Sequence, residues 1–188
     1  PQAEGAGIRW DVGITDDARV VEVIDHKTFK FDVHNASWGM PDGSLVASAP
    51  GPAVLDQFRR NSRGNFALPY VFQAGNGNTE QNEDEDGNLI LDLSTYDGFA
   101  NDKHTIAVAP INGRFVRDNP SGEAGSNILC AALTPSLTTA VDNEYEEIDS
   151  FSSFAAPVVS GIVALMAEAR EESGLESLGW RDYQEILI

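Results

Sequence analysis

Four short apolar runs, at residues 33–38, 68–74, 104–110 and 128–133, are each bounded by turn-forming residues and separated by stretches with helical spacing. Runs of that length with little polar alternation fit strands buried on both faces, and such strands occur in parallel sheets covered by helices. Helix signals lie between and after them. Asp16 or Asp17 is placed to cap a helix through about Asp25, Pro52 to open one through Arg60, and residues 157–172 carry apolar side chains at helical spacing. The expected fold is therefore α/β, a mainly parallel sheet with helices on both faces, built as one domain over residues 1–188. Residues 78–88 are polar and acidic without periodicity and read as a surface loop, and the Thr-rich, acidic stretch 133–150 reads as a second connection. Residues 179–188 look like the start of another amphipathic helix, cut short by the chain end.

A chain of 188 residues with 41% hydrophobic and 22% charged residues has enough apolar content for a packed core, which excludes wholesale disorder. Twelve Lys and Arg against 30 Asp and Glu give a net charge of −18. That field repels nucleic acid and anionic membranes and attracts cations and basic peptides, and it equally suits an acidic surface that only keeps an exported or salt-adapted protein soluble. Cys130 is the single cysteine, so there is no internal disulfide and no thiolate-rich metal site. It sits in an apolar run and reads as a small buried hydrophobe. The chain begins at Pro1 with no basic leader and no apolar run expected to span a bilayer, so a fragment, or removal of upstream sequence, is expected.

The chemistry-bearing pattern is FSSFAAPVVSGIVALMAEA, residues 151–169. A serine four residues before a proline, with small residues between and an apolar helix following, places the Ser153 hydroxyl at a helix N-terminus, where N–H groups and the helix dipole favour developing negative charge. Taken alone, this is also what a simple helix cap looks like. A second segment, YVFQAGNGN at residues 70–78, ends an apolar strand in a glycine-flanked Asn76; the glycines allow a tight turn that presents the amide at the strand's C-terminal end, where open α/β sheets bind ligands. An isolated AGNG is equally a plain turn.

Together with SWGMPDG at 37–43, YDGFANDKHTIAVAP at 96–110 and the closing GWRDYQEILI, these segments follow one another in an order and spacing that resemble the subtilisin-like serine proteases of the kexin/furin type, across nearly the whole chain. The resemblance implies the C-terminal part of such a catalytic domain, its N-terminal part missing, with Ser153 as nucleophile and Asn76 as side-chain donor to the oxyanion. It implies that Ser37, Trp38 and Gly39 form an edge pairing with substrate backbone, and that Asp97 and Asp42 recognise a basic residue before the cut. It also implies a structural calcium on Asp42, Asp92 and Glu123, in keeping with the need of clustered carboxylates for a divalent cation. The expected activity is serine endopeptidase cleavage after Arg or Lys in peptides or proteins, in the secretory compartment or outside the cell, with no nucleic-acid partner and no membrane segment. A subtilase of broader specificity and a catalytically inactive, peptide-binding relative are the alternatives.

Departures from the family pattern qualify this expectation. Phe151 and Ser152 stand in place of Gly and Thr before the nucleophile, and Pro50 and Arg19 occupy positions where furin-like enzymes are acidic, although Asp11 still adds negative potential. The family's catalytic Asp and His lie further upstream of Asn76 than this chain reaches. His26, His34 and His104 match neither and read as surface or strand-end histidines. The chain alone is thus expected to show no appreciable proteolysis, since serine needs a base to take its proton. NEDEDGN at 82–88 resembles half of a calcium loop but has Leu93 where the closing acid belongs, and reads as a surface turn.

Overall fold

The structure is a computed structural model that describes residues 17–25, 31–39, 50–61, 68–77, 86–88, 92–114, 116, 122–134, 137–140, 142, 144–147 and 151–188. Four strands, β1 (His34–Ala36), β2 (Tyr70–Gln73), β3 (Thr105–Ile111) and β4 (Ile128–Leu133), form one sheet in the order β1-β2-β3-β4, every neighbouring pair parallel. The four apolar runs hold these strands, with β1 and β2 shorter than their runs and β3 displaced by one residue. Register follows the pleat. Tyr70 and Phe72 point to one face with Ala36 and Ala107, whereas Val71, Ile106 and Val108 point to the other.

Each face has its own helices. Helix α1 (Asp17–Asp25) and α2 (Pro52–Asn61) bury Val20, Ile24, Val54 and Phe58 against Tyr70, Phe72 and Phe99. Pro52 opens α2 as its first residue, where its missing N–H costs nothing, and Arg59 and Arg60 sit in the last turn, where they complement the dipole. The layer is an aromatic cluster, with Phe58 at 4.9 Å from Tyr70 and 6.0 Å from Phe72 in edge-to-face contact. The Tyr70 hydroxyl is satisfied by the Ile24 carbonyl, and burial holds its pKa above the usual value.

On the opposite face lie α3 (Ser152–Glu172) and α4 (Trp180–Leu187), which bring Ala155, Ala156, Val159, Val163 and Tyr183 onto Val71, Ile106 and Val108. By length and composition alone α3 is long and apolar enough to cross a membrane, as the core helix of a globular domain can also be. Its inner side covers the sheet with Ala155, Ala156, Val159 and Val163, whereas Val158, Ile162 and Leu165 are exposed. Helix α3 also starts at Ser152, five residues before the proline read as its opening. Residues 133–150, read only as a connection, contain an antiparallel hairpin of β5 (Leu137–Thr139) and β6 (Tyr145–Glu147). Cys130 lies in β4, half-buried beside the α3 layer, and burial pushes its thiol up to about 11, so it stays protonated.

Candidate active site

The carboxyl ends of β1 and β2 and the N-terminus of α3 meet at one corner of the sheet, the place where open α/β sheets form their clefts. Ser152, the first residue of α3, is fully buried. Its backbone N–H, one of the donors that a helix start leaves without an intrahelical partner, donates to Asn76 Oδ1 at 2.8 Å. The Ser152 hydroxyl lies 2.8 Å from the same oxygen, 2.9 Å from Gln73 Oε1 and 3.0 Å from the Gly75 carbonyl. With its oxygen held by a helix N–H, Asn76 must direct its nitrogen elsewhere. Nδ2 donates to Gln73 Oε1 at 3.1 Å, and Ser153 Oγ donates to that same oxygen at 2.8 Å. The hydroxyl of Ser153 and the amide of Asn76 therefore converge on one point although 77 residues separate them in the chain.

Pro157 explains how the Ser153 backbone is held. In a helix the N–H of residue 157 would bond to the carbonyl of residue 153, but proline has no N–H. The carbonyl left over accepts instead from Ser37 Oγ at 2.8 Å. Ser37 in turn accepts from Asn35 Nδ2 at 3.0 Å, and Asn35 Oδ1 accepts from Ser160 Oγ at 3.0 Å, so the end of β1 is laced to α3 at two turns. The ring of Trp38 packs edge-on against Phe72 at 5.4 Å and Phe99 at 5.3 Å, which fixes this segment to the core.

Acidic residues gather below the turn at Gly75–Gly77. Gly75 has φ +106, a conformation that suits glycine, and a Cβ there would fall 2.1 Å from Glu123 Oε1. Glu123 is 3% exposed and its Oε1 accepts from the Gly77 N–H at 2.7 Å; the fully buried Asp92 also lies against Gly77, its Oδ2 2.8 Å from where a Cβ would be. Two carboxylates enclosed at one glycine are what a hard cation with oxygen ligands fits. Among the described residues no set of three His, Cys, Asp or Glu side chains stands together as a metal cage. Asp97, 4% exposed, follows the 3-10 turn Ser94–Tyr96; its Oδ1 accepts from the N–H groups of Phe99 and Ala100 and its Oδ2 faces Gly39. Asp42, Asp11, His26 and residues 82–85 of the acidic loop lie outside the described residues, whereas Asp86, Gly87 and Asn88 form an exposed turn, with Gly87 at φ +78.

Neither described histidine approaches Ser153. His34 opens β1 beside Tyr70, and burial lowers its pKa to about 4, so it is neutral near pH 7. His104 precedes β3 and is buried rather than on the surface, its Nδ1 2.7 Å from Asp102 Oδ1 and its ring 4.8 Å from Trp180. Although a His–Asp pair suggests half of a triad, Tyr70 is level with Thr105, which puts His104 about 13 Å below Gln73 at ~3.3 Å per residue. Two participants escaped the sequence reading in these roles. Ser152 looked only like a substitute hydroxyl, and Gln73 was absorbed into an apolar run, although a polar residue ending a buried strand is itself a signal.

A family model described as "Subtilase family" matches residues 7–188. The chain is similar to the "Endoprotease bli-4" of Caenorhabditis elegans, 26% identical over 196 residues and covering 100% of this chain but 19% of that protein. It is similar also to the "Proprotein convertase subtilisin/kexin type 7" of Mus musculus, 27% identical over 97% of this chain and 24% of that protein. It thus spans about a fifth to a quarter of these relatives. Among solved structures, a cold-adapted subtilisin-like serine proteinase superposes with a TM-score of 0.66 at 17% identity, over 92% of this chain and 54% of that one. The patellamide maturation protease PatA gives 0.65 at 18%, over 91% and 56%. These likenesses carry the fold, a subtilisin-like α/β sheet, and with the family match across residues 7–188 they show that the chain belongs to the subtilase family.

Proposed function

We propose that this chain carries the nucleophile and oxyanion donor of a serine endopeptidase that cleaves peptides after a basic residue. The observation that carries the reading is the convergence of Ser153 Oγ and Asn76 Nδ2 on a single acceptor position at the start of α3. An oxygen bearing developing negative charge at that position would be met by the Asn76 amide, the geometry that oxyanion stabilisation requires. Ser153 Oγ would attack the carbonyl carbon, the amine would leave, and water would then hydrolyse the acyl-enzyme. The Oγ proton has to pass to a histidine that the family resemblance puts upstream, with its aspartate, so residues 1–188 alone are expected to be inactive. Asp97, with Asp42, would meet the substrate's cationic side chain, and Ser37, Trp38 and Gly39 would pair with its backbone.

Calcium would be held by Asp42, Asp92 and Glu123, and when bound it would neutralise these carboxylates and stiffen the turn carrying Asn76. Similarity to proprotein convertases is in keeping with basic-residue specificity and a secretory location. A second reading, a silent peptide-binding relative, is favoured by Phe151 at the cap of α3. Fluorophosphonate labelling of the full-length protein separates the two. Labelling that disappears in Ser153→Ala supports the peptidase, its absence from the wild type supports the silent relative, and peptides with Arg, Leu or Phe before the cut then read out specificity.

A further inference from the structure

Gln73 is the residue whose position the proposed chemistry does not use. It ends β2, is 9% exposed, and its Oε1 is the shared acceptor for Ser152 Oγ, Ser153 Oγ and Asn76 Nδ2. The orientation of its amide follows from the network: Asn76 Oδ1 is already held by the Ser152 N–H, so Asn76 offers a nitrogen, and the Gln73 atom facing it must be oxygen. The other end of the amide faces the opposite wall. A methyl placed on Gly39 would stand 3.6 Å from Gln73 Nε2 and 3.1 Å from Asp97 Oδ2. The carboxamide of Gln73 therefore reaches from the two groups that would act on a substrate carbonyl to the wall that Gly39 and Asp97 share.

Resting on the peptidase reading, we propose that Gln73 determines specificity by self-occupation: its carboxamide oxygen stands where the substrate's carbonyl oxygen would bind, and its amide fills the space leading to Asp97. A substrate must displace this side chain. One with a small side chain before the cut displaces the oxygen alone, whereas Arg must also clear the space toward Asp97. In the wild type the long basic side chain is disfavoured relative to what the acidic wall alone would give. Replacing Gln73 by alanine opens both positions, and the Ser152 hydroxyl still has the Gly75 carbonyl and Asn76 Oδ1 as acceptors, so no buried hydroxyl is orphaned.

The test uses the full-length protein and peptidyl diphenylphosphonates carrying Arg or Ala beside phosphorus, in which Ser153 Oγ forms the P–O bond and phenoxide leaves. The readout is the ratio of second-order labelling rates, Arg over Ala, which loss of general structural integrity would not move selectively. Gln73→Ala is expected to raise this ratio at least tenfold over wild type. Gln73→Leu, which keeps the bulk, is expected to leave it within about threefold and to fold whether or not the alanine variant does. An unchanged ratio in a folded Gln73→Ala protein, or a leucine variant as open as alanine, overturns the proposal while leaving the peptidase reading intact. Absence of Ser153-dependent labelling in every variant, including with a small fluorophosphonate, brings down the peptidase reading and this inference with it.

Discussion

Removing the Ser37 hydroxyl tests why the Ser153 backbone stands where it does. The 2.8 Å bond from Ser37 Oγ exists because Pro157 cannot donate to the Ser153 carbonyl. Ser37→Ala leaves that partly buried carbonyl without this donor, which costs about 1–2 kcal/mol, toward the lower end because water reaches part of the site. Pro157→Ala restores an N–H at the right position in the helix, and on that background the same Ser37→Ala change is expected to cost no more than about 0.5 kcal/mol. The coupling in the double-mutant cycle is thus about 1 kcal/mol, above the ~0.3–0.5 kcal/mol scatter of independent sites. Urea denaturation followed by far-UV circular dichroism, with equal m values across the four proteins, measures it. Equal costs of Ser37→Ala on both backgrounds would refute the idea that proline creates the vacancy the serine fills.

The pH dependence of stability should carry a signature of His34. Its folded pKa of about 4 lies below the ordinary 6.5, so between those values the unfolded chain takes up a proton that the folded chain refuses, and stability falls as pH drops through this window. The full difference amounts to at most about 3 to 4 kcal/mol, reduced by the partial exposure of the ring. His34→Phe, packed on Tyr70 in the same way, should lose that part of the slope, and a superimposable pH profile would count against it. Gly75→Ala should lower stability by at least about 2 kcal/mol, because its backbone conformation disfavours a side chain and the new Cβ meets the Glu123 carboxylate; a melting temperature equal to wild type would rule out the crowding. Chelation of calcium from the full-length protein should lower its melting temperature by several degrees and Glu123→Gln should blunt that response, whereas a curve indifferent to chelator would exclude a structural calcium.

The sheet was legible because its central strands β2 and β3 are buried on both faces, so each reads as a continuous apolar run, whereas β4 is half-exposed and was marked by its apolar content alone; Pro52 marked α2 since proline fits only the first turn. The same rule misplaced the start of α3. Pro157 sits inside the helix, tolerated because a hydroxyl 120 residues earlier takes over the carbonyl it strands, a tertiary compensation that no local pattern carries. The β5–β6 hairpin left no apolar signature, as Tyr145 and Glu146 are exposed. Ser153, Asn76, Asp92, Asp97 and Glu123 could be singled out by motif. Their mutual geometry could not, and neither could the part of Gln73, whose meaning depends on which side chains arrive opposite it.

The sheet grows in chain order, each parallel strand pairing with its immediate predecessor, while the helix bearing Ser153 arrives from the far end of the sequence. A ribosome would release the aromatic layer with its two covering helices well before α3 exists to shield Val71, Ile106 and Val108. The nascent chain would then be sticky on one side and chemically mute, its hydroxyl brought to the corner only by the final docking event. Pulse-labelled hydrogen exchange during refolding should show the amides of β2 and of α2 protected before those of α3.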